Sequence, residues 1–162
     1  MIKAVILSDT HGNVSDLLKL KQILSEADMV LFAGDGDNDF ASLPKDIYAK
    51  TKIVSGNCDY ARFPKEIIFE AEEHKILLCH GDRFHVKGGL TSLYYYAKEK
   101  SCDIVIYGHT HENKILKFDD VLFINPGNLQ KYSTKKTFCY LVINGKKVVA
   151  TINDSFFNNK II

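Results

Sequence analysis

Aspartate, asparagine and histidine recur in this chain in five short polar motifs, each directly after an apolar run: Asp9-Thr10-His11, Gly34-Asp35, Gly56-Asn57-Cys58-Asp59, His80-Gly81-Asp82 and Gly108-His109-Thr110-His111. Carboxylate, amide and imidazole donors mixed in this way suit borderline divalent ions such as manganese, iron, nickel or zinc. One such motif means little. Five in series, each at the same place relative to a strand-like run, point to the ligands of a two-metal centre.

The elements that must position these residues follow from the apolar pattern. Residues 3–7, 28–33, 52–54, 75–79 and 103–107 are rich in Ile, Val and Leu and read as strands buried on both faces. In an open α/β sheet the carboxyl ends of parallel strands border the crevice where ligands bind, and every motif falls at such an end. Between the first two strands Ser15 is placed to cap a helix whose Leu17, Leu20, Ile23, Leu24 and Ala27 recur at helical spacing. A second helix is expected over 42–49 with Pro44 in its first turn, and a third over 89–100 packing Leu90, Leu93, Tyr94 and Ala97. The last third reads as strands over 121–124, 138–143 and 147–152, with an Asn144-Gly145 turn that pairs the final two antiparallel. Residues 131–136 read as a polar loop, and the tail after Asn153 as peripheral. Within Asp9-Thr10-His11 and His109-Thr110-His111, side chains two apart would point the same way in extended backbone. The glycines at 34, 56, 81 and 108 would permit tight turns and the close approach of a phosphate.

A length of 162 residues with 46% hydrophobic content predicts one domain over residues 1–162. The net charge of +1 is spread along the chain, which argues against a dedicated grip on nucleic acid. Cys58, Cys79, Cys102 and Cys139 lie far apart with no Cys-x-x-Cys pair, so neither a zinc knuckle nor a disulfide framework is indicated, and a reducing compartment follows. Asp9 and His11 end the first apolar run too early for a signal peptide, and no later stretch could span a bilayer. The expectation is a soluble cytoplasmic protein with no membrane or stable nucleic-acid partner.

Some polar residues have plainer readings. His74 and His85 stand outside the motifs and read as structural or surface residues. Asp35-Gly36-Asp37-Asn38-Asp39 imitates the start of an EF-hand loop, but Phe40 stands where that loop needs Gly, Asp46 replaces its final Glu and a strand precedes it. Asp37 and Asp39 read as solvated loop carboxylates, with a hydrogen bond to a ligand His as the alternative, and Asp59 and Asp82 as groups able to orient ligands. Asn125-Pro126-Gly127-Asn128 is made of ordinary turn formers. In Tyr94-Tyr95-Tyr96 one ring faces the core and the others are exposed or line an interface.

The five motifs together resemble the signature of the calcineurin-like metallophosphoesterase superfamily, D-x-H, G-D, G-N-[HC]-[DE], an H-G element and G-H-x-H in that order, and the likeness runs from Ile2 to about Asn128. The short chain and its Gly-Asn-Cys-Asp form are most similar to small prokaryotic YfcE-type phosphodiesterases. The resemblance implies an α/β four-layer αββα sandwich, two mixed β-sheets flanked by helices. It implies two divalent transition-metal ions, manganese foremost, with nickel, iron, zinc or cobalt as alternatives. Carried over by motif, one ion falls to Asp9, His11 and His111, the other to Asn57, His80 and His109, and Asp35 bridges them. Asn57, Cys58, Asp59 and His80 form the implied catalytic group, and Asn128 lies near the metals. Two cations roughly 3.5–4 Å apart can share a water and present hydroxide in line with phosphorus. The implied activity is that of a metal-dependent phosphodiesterase on a small phosphate ester. A phosphomonoesterase, or a metal-binding scaffold like the retromer subunit that shares the fold, is the alternative, and a homodimer or higher homo-oligomer is left open. Cys58 stands where many relatives carry His. It is either a weak proton donor, favouring esters with acidic leaving groups, or a small filler beside Asn57.

Overall fold

Ala4 to Leu7 lose nearly all contact with water in the computed structural model, which describes residues 1–154. Such a run, apolar on both faces, can only be a central strand of a covered sheet. The first half of the chain runs β1 (Ile2–Leu7), α1 (Val14–Lys19), α2 (Lys21–Glu26), β2 (Met29–Phe32), α3 (Lys45–Ala49), β3 (Thr51–Ile53), β4 (Glu66–Ala71) and β5 (His74–Cys79). The second half runs α4 (Thr91–Glu99), β6 (Ile104–Ile106), β7 (Lys114–Phe118), β8 (Val121–Asn125), β9 (Phe138–Asn144) and β10 (Lys147–Asn153). Short 3-10 helices occupy Asp37–Ser42 and Asp82–Phe84.

The strands form two mixed five-stranded sheets, in the orders β10-β9-β1-β2-β3 and β4-β5-β6-β8-β7. β1, β2 and β3 are parallel, as are β5, β6 and β8, and antiparallel strands flank each set. Alternation along the strands sorts the apolar residues into layers. Ala4, Ile6 and Leu31 meet Ile76, Leu78, Ile104 and Ile106 between the sheets. Val5, Leu7, Val30 and Phe32 face the other way, against Leu17, Leu20, Leu24 and Ile47 of the first three helices. Leu77, Val105 and Phe123 pack on Leu93 and Ala97 of α4. The result is a four-layer αββα sandwich in which each Leu or Ile moved from water contributes about 1.5–3 kcal/mol.

Local departures from the expected elements have physical causes. The expected first helix is broken at Leu20, whose N–H reaches the carbonyl of Leu17 at 3.1 Å and closes α1 before α2 begins. Asn13, not Ser15, caps α1: its Oδ1 accepts from the N–H of Asp16 at 3.4 Å, and its Nδ2 is fixed on the carbonyl of Leu129 at 2.6 Å. The second helix shortens to α3 because Asp37–Ser42 tightens into its 3-10 turn. β4 and β7 were not expected from the pattern. Both are edge strands, and all five residues of β7 are exposed, so no buried alternation marks it. The Asn144-Gly145 hairpin joins β9 and β10 as expected. The tail placed at the periphery lies, from residue 155 on, outside the described residues.

Candidate metal centre

Asp9 follows β1, Asp35 follows β2, Asn57 follows β3, His80 follows β5, and His109 and His111 follow β6. The two sheets face each other, so the loops at these strand ends meet over the inter-sheet core. Oδ1 of Asp9 lies 3.5 Å from Nε2 of His11 and 3.1 Å from Nε2 of His111. Nε2 of His80 lies 3.3 Å from Oδ2 of Asp35, 3.2 Å from Nδ1 of His109 and 3.1 Å from Oδ1 of Asn57. The same Oδ2 of Asp35 is 3.7 Å from Nε2 of His11, so one carboxylate oxygen faces both groups. Asp9, His11 and His111 form one set of ligand atoms able to hold a metal ion, and Asp35, His80 and His109 form another.

The donor chemistry fits a cation. Nδ1 of His80 sits 2.7 Å from the carbonyl of Ala33, which can only accept, so in the neutral ring Nε2 turns its lone pair to the oxygens of Asp35 and Asn57. Oδ2 of Asp9 accepts from the Ser8 hydroxyl at 2.6 Å and the N–H of His109 at 3.1 Å. Its Oδ1 is buried with no hydrogen bond; the His11 and His111 rings stand within ion-pair distance but are not aligned to donate to it. Such an oxygen is expensive to bury unless positive charge reaches it. Burial raises Asp9, but the nearby His11 and His111 rings, the His80 charge and the Ser8 hydroxyl outweigh it and hold the carboxyl well below the usual range. Burial likewise opposes ionisation of Asp35, yet His80 and the Cys58 N–H lower it overall. His109 is held below its ordinary value by burial first, then by the charges of His80 and Lys87.

The backbone corrects one expectation. Asp9, His11, Asp35, His109 and His111 all have positive φ, from 45° to 67°, so these loops are left-handed turns and not extended chain. His109 and His111 accordingly part to different groups, whereas Asp9 and His11, also two apart, join the same one. Conformations of this kind cost about 1–3 kcal/mol each and persist only when the surroundings impose them. Here the Asp9 N–H is tied to the Gly34 carbonyl at 2.9 Å and the His11 N–H to the Asp35 carbonyl at 3.1 Å. Gly34, Gly56 and Gly108 make room for the centre's own side chains, whereas Gly81 makes room for Val86. A Cβ on Gly56 would stand 2.0 Å from Oδ1 of Asp35, and one on Gly108 would stand 2.0 Å from the Ser8 hydroxyl and 2.8 Å from Oδ2 of Asp9.

A shell of polar side chains fixes these loops. Oδ1 of Asp59 accepts from the N–H groups of Gly36 at 2.8 Å and Asp37 at 3.1 Å, and its Oδ2 from those of Asp35 at 2.8 Å and Gly56 at 2.7 Å. Asp59 is thus a hub for the second and third loops. Asp37 and Asp39 are buried, contrary to the solvated reading. Asp39 accepts from the Thr10 hydroxyl and the Gly12 N–H, and Asp37 from the Ser55 hydroxyl at 3.1 Å, so neither forms a calcium loop. Asp82 makes no side-chain hydrogen bond to a ligand among the described residues. Nδ2 of Asn125 donates to the Gly108 carbonyl at 3.0 Å and Thr110 Oγ1 at 3.1 Å, and Nδ2 of Asn128 donates to the His111 carbonyl at 2.9 Å. The sequence marks Asn125 only as a turn former and does not single out Ser8. The available signal was their position, one after four residues of β8 and the other just before Asp9. His74 pairs with Asp103 at 2.6 Å and His85 is exposed, and neither joins the centre.

Asn57 and Cys58 are exposed at the mouth. Cys58 lines a pocket of about 260 Å³ with His11, Asp35, Asn38 and Tyr60, so it is not a buried filler. Its N–H donates to Oδ1 of Asp35 at 2.8 Å, and Nδ2 of Asn57 donates to its sulfur at 3.3 Å. Partial burial, then Asp35, push the thiol above its ordinary value, so it stays protonated at neutral pH.

A family profile, Calcineurin-like phosphoesterase superfamily domain, matches residues 2–147. The probable metallophosphoesterase YsnB of Bacillus subtilis is 30% identical over 153 residues, covering 93% of this chain and 89% of that protein. A phosphodiesterase of Methanocaldococcus jannaschii is 29% identical over 151 residues, covering 82% of this chain and 87% of that protein. The structure of Vacuolar Protein Sorting 29 from Cryptosporidium parvum shares the fold, with a TM-score of 0.81 at 24% identity over 94% of this chain and 91% of that one.

Proposed function

The chain belongs to the calcineurin-like phosphoesterase superfamily, which implies divalent metal ions, and from that premise we propose that it is a metal-dependent phosphodiesterase acting on small phosphate diesters. One observation supports this most directly: Oδ2 of Asp35 faces His80 at 3.3 Å and His11 at 3.7 Å, the position of a bridging carboxylate. In this reading Asp9, His11 and His111 hold one ion, Asn57, His80 and His109 hold the other, and Asp35 is shared. Two divalent ions, manganese foremost or nickel, iron, zinc or cobalt, would supply Lewis acidity, lowering the pKa of a water molecule and balancing charge on the phosphate oxygens.

The chain's own residues do the rest. Asp9 and Asp35 bring only two negative charges to a doubly occupied centre, which leaves it positive and favours an anionic phosphate ester over a neutral carbonyl compound. The Ala33 carbonyl fixes the His80 ring so that Nε2 faces the centre. Asn57, exposed at the mouth, can turn its amide N–H to a phosphate oxygen. Asp59 acts as a positioning residue through four backbone N–H groups. At the leaving-group side the Cys58 thiol, raised by burial and Asp35, is a poor acid. The departing oxygen must leave as an anion or take its proton from water, so esters with acidic leaving groups are preferred.

Among the described residues no helix is long and apolar enough to cross a membrane. With its cysteines free, the protein is assigned to the reducing cytoplasm as a single catalytic domain. The test is hydrolysis of bis(p-nitrophenyl) phosphate and p-nitrophenyl phosphate by exhaustively demetallated protein, before and after manganese is restored. Activity should vanish with the metal, return with it and favour the diester. Full activity after verified demetallation overturns the metal requirement, and preference for the monoester overturns the diesterase reading.

A further inference from the structure

Two openings are lined by residues of the ligand loops. The loops of the first sheet build the pocket of about 260 Å³ that holds His11, Cys58 and Tyr60. The loops of the second sheet build a larger groove of about 560 Å³, lined among others by Lys87, Thr110, Glu112, Asn113 and Lys114. Thr110, in the lining, stands between His109 and His111 in the chain, so the groove adjoins the loop that carries both. A phosphodiester sends two arms away from one phosphorus atom, and two openings beside the ligand loops offer a place for each.

The larger groove has a charge bias. Lys87 comes from the loop before α4 and Lys114 opens β7, so the two ammonium groups reach the groove from different elements. Neither makes a hydrogen bond or ion pair among the described residues, whereas Lys98, on the same side of the second sheet, is held by Asp119 and Asp120. Glu112 is the one acid in the lining, leaving an excess of one positive charge.

We propose, resting on the diesterase reading above, that this groove binds a second anionic group carried on one arm of the substrate: the substrate class is a phosphodiester whose arm on the Lys87 and Lys114 side bears a further phosphate. The other arm lies toward Cys58 and Tyr60. Two exposed ammonium groups are worth about tenfold in affinity for that phosphate, and Glu112 works against them.

Thymidine 3′,5′-bisphosphate and thymidine 5′-monophosphate, titrated calorimetrically into the metal-loaded protein, compare the same phosphate at the centre with and without the second one. The bisphosphate should bind about tenfold more tightly, and the gap should narrow as salt rises. It should close in the Lys87→Ala/Lys114→Ala double variant with affinity for the monophosphate unchanged, and widen in Glu112→Gln. Equal affinity for the two ligands, or a gap that survives in the double variant, overturns the proposal. The corresponding 5′-(p-nitrophenyl) esters report on turnover, and the second phosphate should lower KM without raising kcat. If neither ester is hydrolysed while the binding gap stands, the diesterase reading falls and the groove assignment holds. If both are hydrolysed with equal KM, the groove assignment falls alone.

Discussion

Asp59→Asn separates a residue that acts on substrate from one that holds the loops. The carboxylate accepts four backbone N–H groups at 2.7 to 3.1 Å, two on each oxygen. Asparagine keeps the shape, and its single oxygen can satisfy one pair. Its NH₂ then confronts the other pair, donor against donor. Two hydrogen bonds to a charged acceptor are lost at about 1.5–3 kcal/mol each, and the partial exposure of Asp59 sets the total near the lower end, about 3 kcal/mol. Against a typical domain stability of about 5–15 kcal/mol this is large, and it corresponds to a fall in Tm of roughly 10 °C. Because either pair includes the N–H of Asp35 or that of Gly36 beside it, both ions should bind more weakly, by at least about tenfold. Thermal and urea unfolding, metal content after dialysis and kinetics at saturating manganese measure these effects, and much of kcat should return once metal is saturating. A variant with wild-type unfolding and two bound ions but no turnover would mean that Asp59 touches the reacting atoms. A variant unchanged in every respect would mean that the hub is dispensable.

Gly108→Ala and Gly56→Ala should each destabilise the protein by about 1–3 kcal/mol through overpacking. The first should empty mainly the Asp9–His11–His111 position, by displacing Asp9, and the second both positions, by displacing Asp35, as read by metal analysis; the reverse pattern would contradict the assignment. His109→Ala and His111→Ala should each lose a different ion, which anomalous scattering from crystals of the two variants would show, and loss of the same ion in both refutes the pairing. Cys58→His should extend hydrolysis toward alkyl esters, because imidazole with a pKa near ~6.5 is the better acid, while Cys58→Ala should change little. If Cys58→Ala abolishes turnover with both ions bound, the thiol itself takes part.

The ligands were legible because their residue types are unusual at the ends of apolar runs, and those runs are buried on both faces in the structure as their composition demands. Side-chain direction was not legible. It depends on positive φ at Asp9, His11, Asp35, His109 and His111, conformations imposed by hydrogen bonds between loops and not by the local sequence. The burial of Asp37 and Asp39 escaped for a related reason: their partners, Ser55 and Thr10, lie 18 and 29 residues away. β4 and β7 escaped because edge strands need no apolar alternation, and the break at Leu20 because Leu20 itself fits the helical spacing on either side. The family resemblance supplied the second sheet, which periodicity alone would have merged with the first.

Asp9, His11, Asp35 and Asn57 rise from one sheet, and His80, His109 and His111 from the other. Under the proposed assignment each ion therefore takes ligands from both sheets and closes the crevice end of the sandwich as a crosslink. An ion at a hundredfold excess over its Kd adds about 2.7 kcal/mol to stability, a sizeable share of what a domain has. In a metal-starved cell the crevice end would be the first part to open, exposing backbone to proteases. The cellular lifetime of the protein, and so its abundance, would then follow the supply of the same ions that its chemistry consumes none of.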